Sequence, residues 1–66
     1  MEMTIAILLW LQLMFGGQSY TQAEYDQLVQ QNEVVINQIN TDPIQQSTIW
    51  QLKGNEVPSV IIGELD

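Results

Sequence analysis

The chain contains no cysteine and no histidine, and its only Lys or Arg is Lys53. Each absence excludes a class of function. Without cysteine there is neither a disulfide nor a thiolate metal site. Without histidine the commonest general base and the commonest metal ligand are missing, and so is a pH switch near neutrality. Eight carboxylates against one lysine leave a net charge of -7. Nucleic-acid affinity rests on several lysines or arginines, so nucleic acid is excluded as a partner and anionic membrane surfaces are disfavoured.

Charge of either sign is scarce, at 14% of residues where about a quarter is usual. Amides stand in its place: ten glutamines and four asparagines. Neutral hydrogen-bonding side chains of this kind suit packed, repetitive assemblies. A hydrophobic content of 45% argues against disorder. With 66 residues the chain is one small domain, burying only about 60% of its unfolded surface, and it is marginally stable without a staple or a partner.

Local design is clearest between Thr21 and Asn40. Thr21 and Glu24 have the capping-box spacing, and Tyr20 with Tyr25 are placed for a hydrophobic staple. Pro43 biases Asp42 away from helical geometry and ends the run. The spacing predicts one helix over residues 22–40, about 28 Å long. Tyr25, Leu28, Asn32, Val35 and Ile39 recur at alternating intervals of three and four, the seam of a short coiled coil and a candidate oligomer interface. Asn32 at an a position of that seam would set register and oligomer state, or face water at the edge of an ordinary core stripe. The width of the stripe favours a trimer over a dimer. The competing reading packs this stripe against residues 3–15 as a helical hairpin within one subunit.

Residues 3–15 are apolar except for Thr4 and Gln12, and Gly16-Gly17 breaks the run. A helix apolar all round must be buried all round. Ile5, Leu8, Leu9, Trp10, Leu13 and Phe15 are therefore candidates for burial against a partner or in a membrane, since one amphipathic helix covers only one side. The run is short for a transmembrane helix, which needs about 20 residues. As a signal peptide it carries Glu2 where a positive n-region belongs.

After Pro43, β-branched and aromatic residues predict strands over Ser47–Leu52 and Val57–Ile62, with a turn at Lys53-Gly54-Asn55-Glu56. Ile49, Trp50, Leu52, Val60, Ile61 and Ile62 are the candidate strand-pairing residues, within a hairpin or between chains. Pro58 conflicts with a tight hairpin, because the ladder there needs an N–H that proline lacks.

No catalytic constellation assembles. Ser19, Ser47 and Ser59 have no histidine to activate them, and Glu24 and Asp26 do not face each other on a helix. Asp42 with Asn40 lacks the loop that calcium requires. No metal, cofactor, small-molecule substrate or enzyme activity is expected.

The expected fold is mainly α with a short C-terminal β segment, extended and oligomer-dependent. It divides into an apolar anchoring segment (1–17), a capped amphipathic helix (18–42) and a strand segment (43–66). The expected function is that of a non-enzymatic structural or assembly protein. Its partners would be copies of itself or a larger structural protein, as in a virion fibre, collar or decoration subunit. Two alternatives are a small membrane protein anchored by residues 3–15 and an acidic inhibitor of a basic partner.

Overall fold

A computed structural model describes residues 2–63. The element order is α1 (Glu2–Trp10), β1 (Ser19–Thr21), α2 (Gln22–Gln31), α3 (Glu33–Asn40), α4 (Pro43–Lys53), a 3-10 helix (Gly54–Ser59) and β2 (Ile61–Gly63). The chain is mostly helical, with one short two-stranded sheet. β1 and β2 pair in parallel, in the register Ser19↔Ile61, Tyr20↔Ile62 and Thr21↔Gly63.

The apolar run forms the centre of the molecule. Ala6, Ile7 and Leu8 are fully buried, flanked by Ile5 and Leu9, and α4, the 3-10 helix and the α2–α3 stripe close around them. Much of the run is therefore covered from within the same chain, while Leu13 and Phe15 stay exposed. The element that covers it is a further helix, α4, in a stretch that had read as strand.

The run is also helical over a shorter span than 3–15. Trp10 ends the helix, and a Schellman motif turns the chain before Phe15. Leu13 N–H bonds Leu8 C=O at 3.0 Å and Gln12 N–H bonds Leu9 C=O at 3.0 Å, the paired bonds of that motif. Gln12 takes the left-handed conformation, with φ 64°. That region costs a residue with a Cβ about 1–2 kcal/mol, whereas glycine adopts it freely but gives up about 0.5–1 kcal/mol of chain entropy. Gln12→Gly should accordingly stabilise the fold by roughly 0.5–1 kcal/mol, read as a higher urea midpoint. A lower midpoint would show that the turn is not limited by Gln12.

At the start of α2 the capping box forms as the sequence predicts. Glu24 N–H bonds Thr21 Oγ1 at 3.0 Å and Thr21 N–H bonds Glu24 Oε1 at 2.8 Å. The single helix over 22–40 is corrected to two helices with a break at Asn32, whose φ and ψ are -117° and 21°. The Asn32 side-chain amide bonds Leu28 C=O at 2.7 Å. A short amide that satisfies a carbonyl of the preceding turn competes with helix continuation, and the chain bends there.

The predicted hairpin is corrected, although a short C-terminal strand is present at Ile61–Gly63. Ser47–Leu52 lies in α4, and Lys53–Glu56 is not a turn between strands. Asp42 caps α4, its Oδ1 accepting from Ile44 N–H and Gln45 N–H at 3.2 Å each, and Pro43 occupies the first turn. Proline there loses no hydrogen bond and arrives with helical φ. So Pro43 both stops one helix and begins the next. Val57–Ser59 belongs to the 3-10 helix, which relieves the Pro58 conflict because no ladder demands its N–H. Among the described residues after Pro43, Ile61–Gly63 is the strand, and its partner is β1.

A tight connection brings β1 and β2 together. Gly17 N–H bonds Ser59 C=O at 3.0 Å and Ser59 Oγ at 3.2 Å, and Ile61 N–H bonds Gln18 C=O at 3.1 Å. Gly17 has φ 79°, a conformation open to glycine without penalty. The extended architecture is also corrected: the radius of gyration is 11.3 Å, where a compact chain of this length gives about 11 Å.

Candidate interaction surface

The three groups of sequence-predicted residues meet different fates. In the candidate oligomer seam, Tyr25 and Ile39 are buried, and Leu28 and Val35 pack against the same core from its edge. Asn32 is half-buried with its amide bonded inside the chain. The stripe thus faces this chain's own core.

In the apolar run, Ile5, Leu8 and Leu9 are core residues and Trp10 is half-buried, while Leu13 and Phe15 remain exposed on the turn after α1. Among the strand-pairing residues, Ile49 is fully buried in α4 and Val60 is buried beyond the 3-10 helix. Trp50 and Leu52 are exposed on α4, Ile61 is exposed on β2, and Ile62 is half-buried beside it.

Ile44 and Val34 were not singled out from sequence, and they are the most exposed large apolar residues described, at 80% and 71%. The signal for Ile44 was present. Asp42-Pro43 marks a helix start, and a helix that buries Ile49 must turn Ile44 outward, since the two are five residues apart.

On α4, burial follows helical period. Ile49 is buried and Gln45, Gln46 and Lys53 are half-buried, whereas Ile44, Ser47, Thr48, Gln51 and Leu52 are exposed. Ile44, Thr48 and Leu52 are spaced i, i+4, i+8 and form one outward ridge. No charged side chain lies on it. Trp50, two residues from both Thr48 and Leu52, points away from the ridge and lies over Gly54, where an added Cβ would fall 2.8 Å from the indole. Lys53 Nζ pairs with Glu56 Oε2 at 3.4 Å, a partly exposed contact of small energetic weight.

Two shallow grooves border α2. One, of about 300 Å³, is lined by Tyr20, Glu24, Gln27, Leu28 and Gln31. The other, of about 520 Å³, is lined by Thr4, Tyr25, Asp26, Val29, Gln30 and Glu33. Their linings are carboxylates, amides, hydroxyls and aliphatic carbons, with no base–nucleophile pair. Among the described residues no group of three or more His, Cys, Asp or Glu is placed to hold a metal ion. Among the same residues no helix is long and apolar enough to cross a membrane.

Tyr25 is the perturbed group of the second groove. Burial raises its pKa above 10.0, the Asp26 charge raises it further, and Thr4 beside the phenol pulls the other way. A raised phenol pKa means the folded state holds its proton more tightly than the unfolded chain. The associated stability is complete below about pH 10 and is lost as pH rises through the folded pKa. Tyrosinate absorbance that disappears in Tyr25→Phe should therefore titrate above pH 10. A Tyr25 component ionising at or below that value would contradict this environment.

The chain matches no protein-family model, no curated protein and no solved structure.

Proposed function

We propose that this is a non-enzymatic assembly protein that works by associating with copies of itself. One observation carries the reading: the core is complete without Phe15, Val34, Ile44, Leu52 and Ile61, all of which are more than half exposed. Singly scattered apolar side chains are ordinary on a surface, but Ile44 and Leu52 share one face of α4, and grouped exposure of this kind favours a contact. The grooves add no opposing argument, because their groups lack the pairing that acid–base or nucleophilic chemistry uses.

Self-association fits the composition as well. A surface of amides and hydroxyls with few charges can meet itself without desolvating many ions, which is the costly part of burying polar surface. Charges elsewhere on the chain oppose contact between copies and restrict it to uncharged faces.

Sedimentation velocity across about 10 µM to 1 mM tests the reading, a range that covers weak, small interfaces. The expected result is a reversible, concentration-dependent increase in mass. A monomer across the whole range would dispose of it.

A further inference from the structure

We infer that the outward ridge of α4 is the self-association surface, and that it packs antiparallel against α4 of a second copy about a two-fold axis at Thr48. The inference rests on the self-association reading above and adds the surface, the geometry and the stoichiometry.

The first argument is self-complementarity. A two-fold contact requires that when residue i meets residue j, residue j also meets residue i. Ile44 and Leu52 lie four residues on either side of Thr48, and both are exposed, at 80% and 57%. In an antiparallel pair centred on Thr48, Ile44 of each copy meets Leu52 of the other. The two threonines meet at the crossing, where a small side chain lets the helices approach to the usual 8–10 Å between axes. Ser47 and Gln51, also exposed on this face, supply hydroxyl and amide groups that pair with their own kind.

The second argument is charge. Two copies each carry -7 and repel wherever carboxylates face each other. From Pro43 to Asn55 the chain has no carboxylate, and it carries the sole Lys. By contrast the outer surface of α2 and α3 bears Glu24, Asp26 and Glu33, all exposed. Among the described helices with exposed faces, α4 is the one that a like-charged copy can approach without facing carboxylates.

Charge also selects the antiparallel orientation. Asp42 is the N-cap of α4, and Lys53 lies in its last turn, where it pairs with Glu56. Antiparallel packing sets the Lys53 end of each copy toward the Asp42 end of the other and opposes the two helix dipoles. Parallel packing would set like ends together.

The result is a dimer rather than the trimer that the width of the Tyr25–Ile39 stripe suggests. That stripe is occupied within the chain.

The test uses the full chain and its lack of cysteine. With Thr48→Cys, each copy carries one thiol, so any disulfide joins two copies. At the two-fold axis the Cα atoms approach to the roughly 4.4–6.8 Å that a disulfide spans. Mild oxidation should convert Thr48→Cys to covalent dimer at least about tenfold faster than Val34→Cys, which is exposed on α3, because pairing raises the effective concentration of the two thiols.

In parallel, Thr48→Glu places two like charges at the axis and should yield a monomer with unchanged far-ultraviolet circular dichroism. Raising salt from about 50 to about 500 mM should tighten the wild-type dimer by screening its net charge. An oligomer that persists in Thr48→Glu, or equal crosslinking at positions 34 and 48, overturns the α4 contact and leaves self-association standing. A wild-type monomer at about 1 mM overturns both.

Discussion

Leu8→Ala should remove most of the stability of this chain. Leu8 is fully buried at the centre of α1, between Ile7 and Leu9, with the 3-10 helix and α4 packed against that helix. Truncating such a leucine removes its transfer free energy and leaves a cavity, together costing about 2–5 kcal/mol. A domain of this size holds on the order of 3–10 kcal/mol in all. The expected variant is largely unfolded at room temperature, or melts tens of degrees lower. Urea titration followed by the fluorescence of Trp10 and Trp50 measures it. A loss under about 1 kcal/mol would mean that the centre of the core lies elsewhere.

The second large effect separates two side chains of one helix. Ile49→Ala should cost about 2–4 kcal/mol, because Ile49 is fully buried. Ile44→Ala should change the stability of the monomer by less than about 0.5 kcal/mol, as exposed substitutions do. Had Ser47–Leu52 been a hairpin strand with Ile44 in a connector, helical spacing between these residues would carry no meaning. A proline scan adds an independent readout. Gln51→Pro lies in the interior of α4 and should cost at least about 3 kcal/mol, while a strand edge would tolerate it better. Equal sensitivity at Ile44 and Ile49 would contradict the helix.

Both effects arise where local preference and tertiary context disagree. Ile49, Trp50 and neighbouring Thr48 favour strand by side-chain shape, a weak preference that depends on what surrounds the segment. The Asp42–Pro43 start is a stronger signal for helix, since it presets φ and satisfies free N–H groups at once. Read as a stop alone, Pro43 suggested an end to helical structure. Read as a first turn, it predicts α4 and the outward ridge from Ile44 to Leu52. The two readings differ by one position in the cap.

Other parts were less visible. The Schellman turn at Gln12 carries no sequence mark, because a glycine or asparagine would normally announce it. Nothing in the strand-like residues of β2 names Ser19–Thr21 as its partner; pairing there follows from Gly17 and Ser59 meeting across the chain. The break at Asn32 was half legible. The residue stood out as polar in an apolar stripe, but whether it bonds its own chain or a neighbour depends on which surface the stripe meets.

Composition and short-range chemistry alone determined a good deal about this protein. They show that this sequence holds no cysteine thiol, no histidine imidazole and a single basic side chain. They also place the capping box at Thr21 and Glu24, and identify an apolar run, of which Ile5 to Leu9 lie under cover while Leu13 and Phe15 stay exposed. These follow from side-chain identity and from contacts a few residues apart. Only the tertiary structure decided what does the covering. A run apolar on every side specifies burial without specifying the neighbour, since the hydrophobic effect is proportional to area and has no direction. Here α4, the 3-10 helix and the α2–α3 stripe close over α1 from the same chain. That closure turns the would-be seam inward and leaves the ridge of α4 facing out.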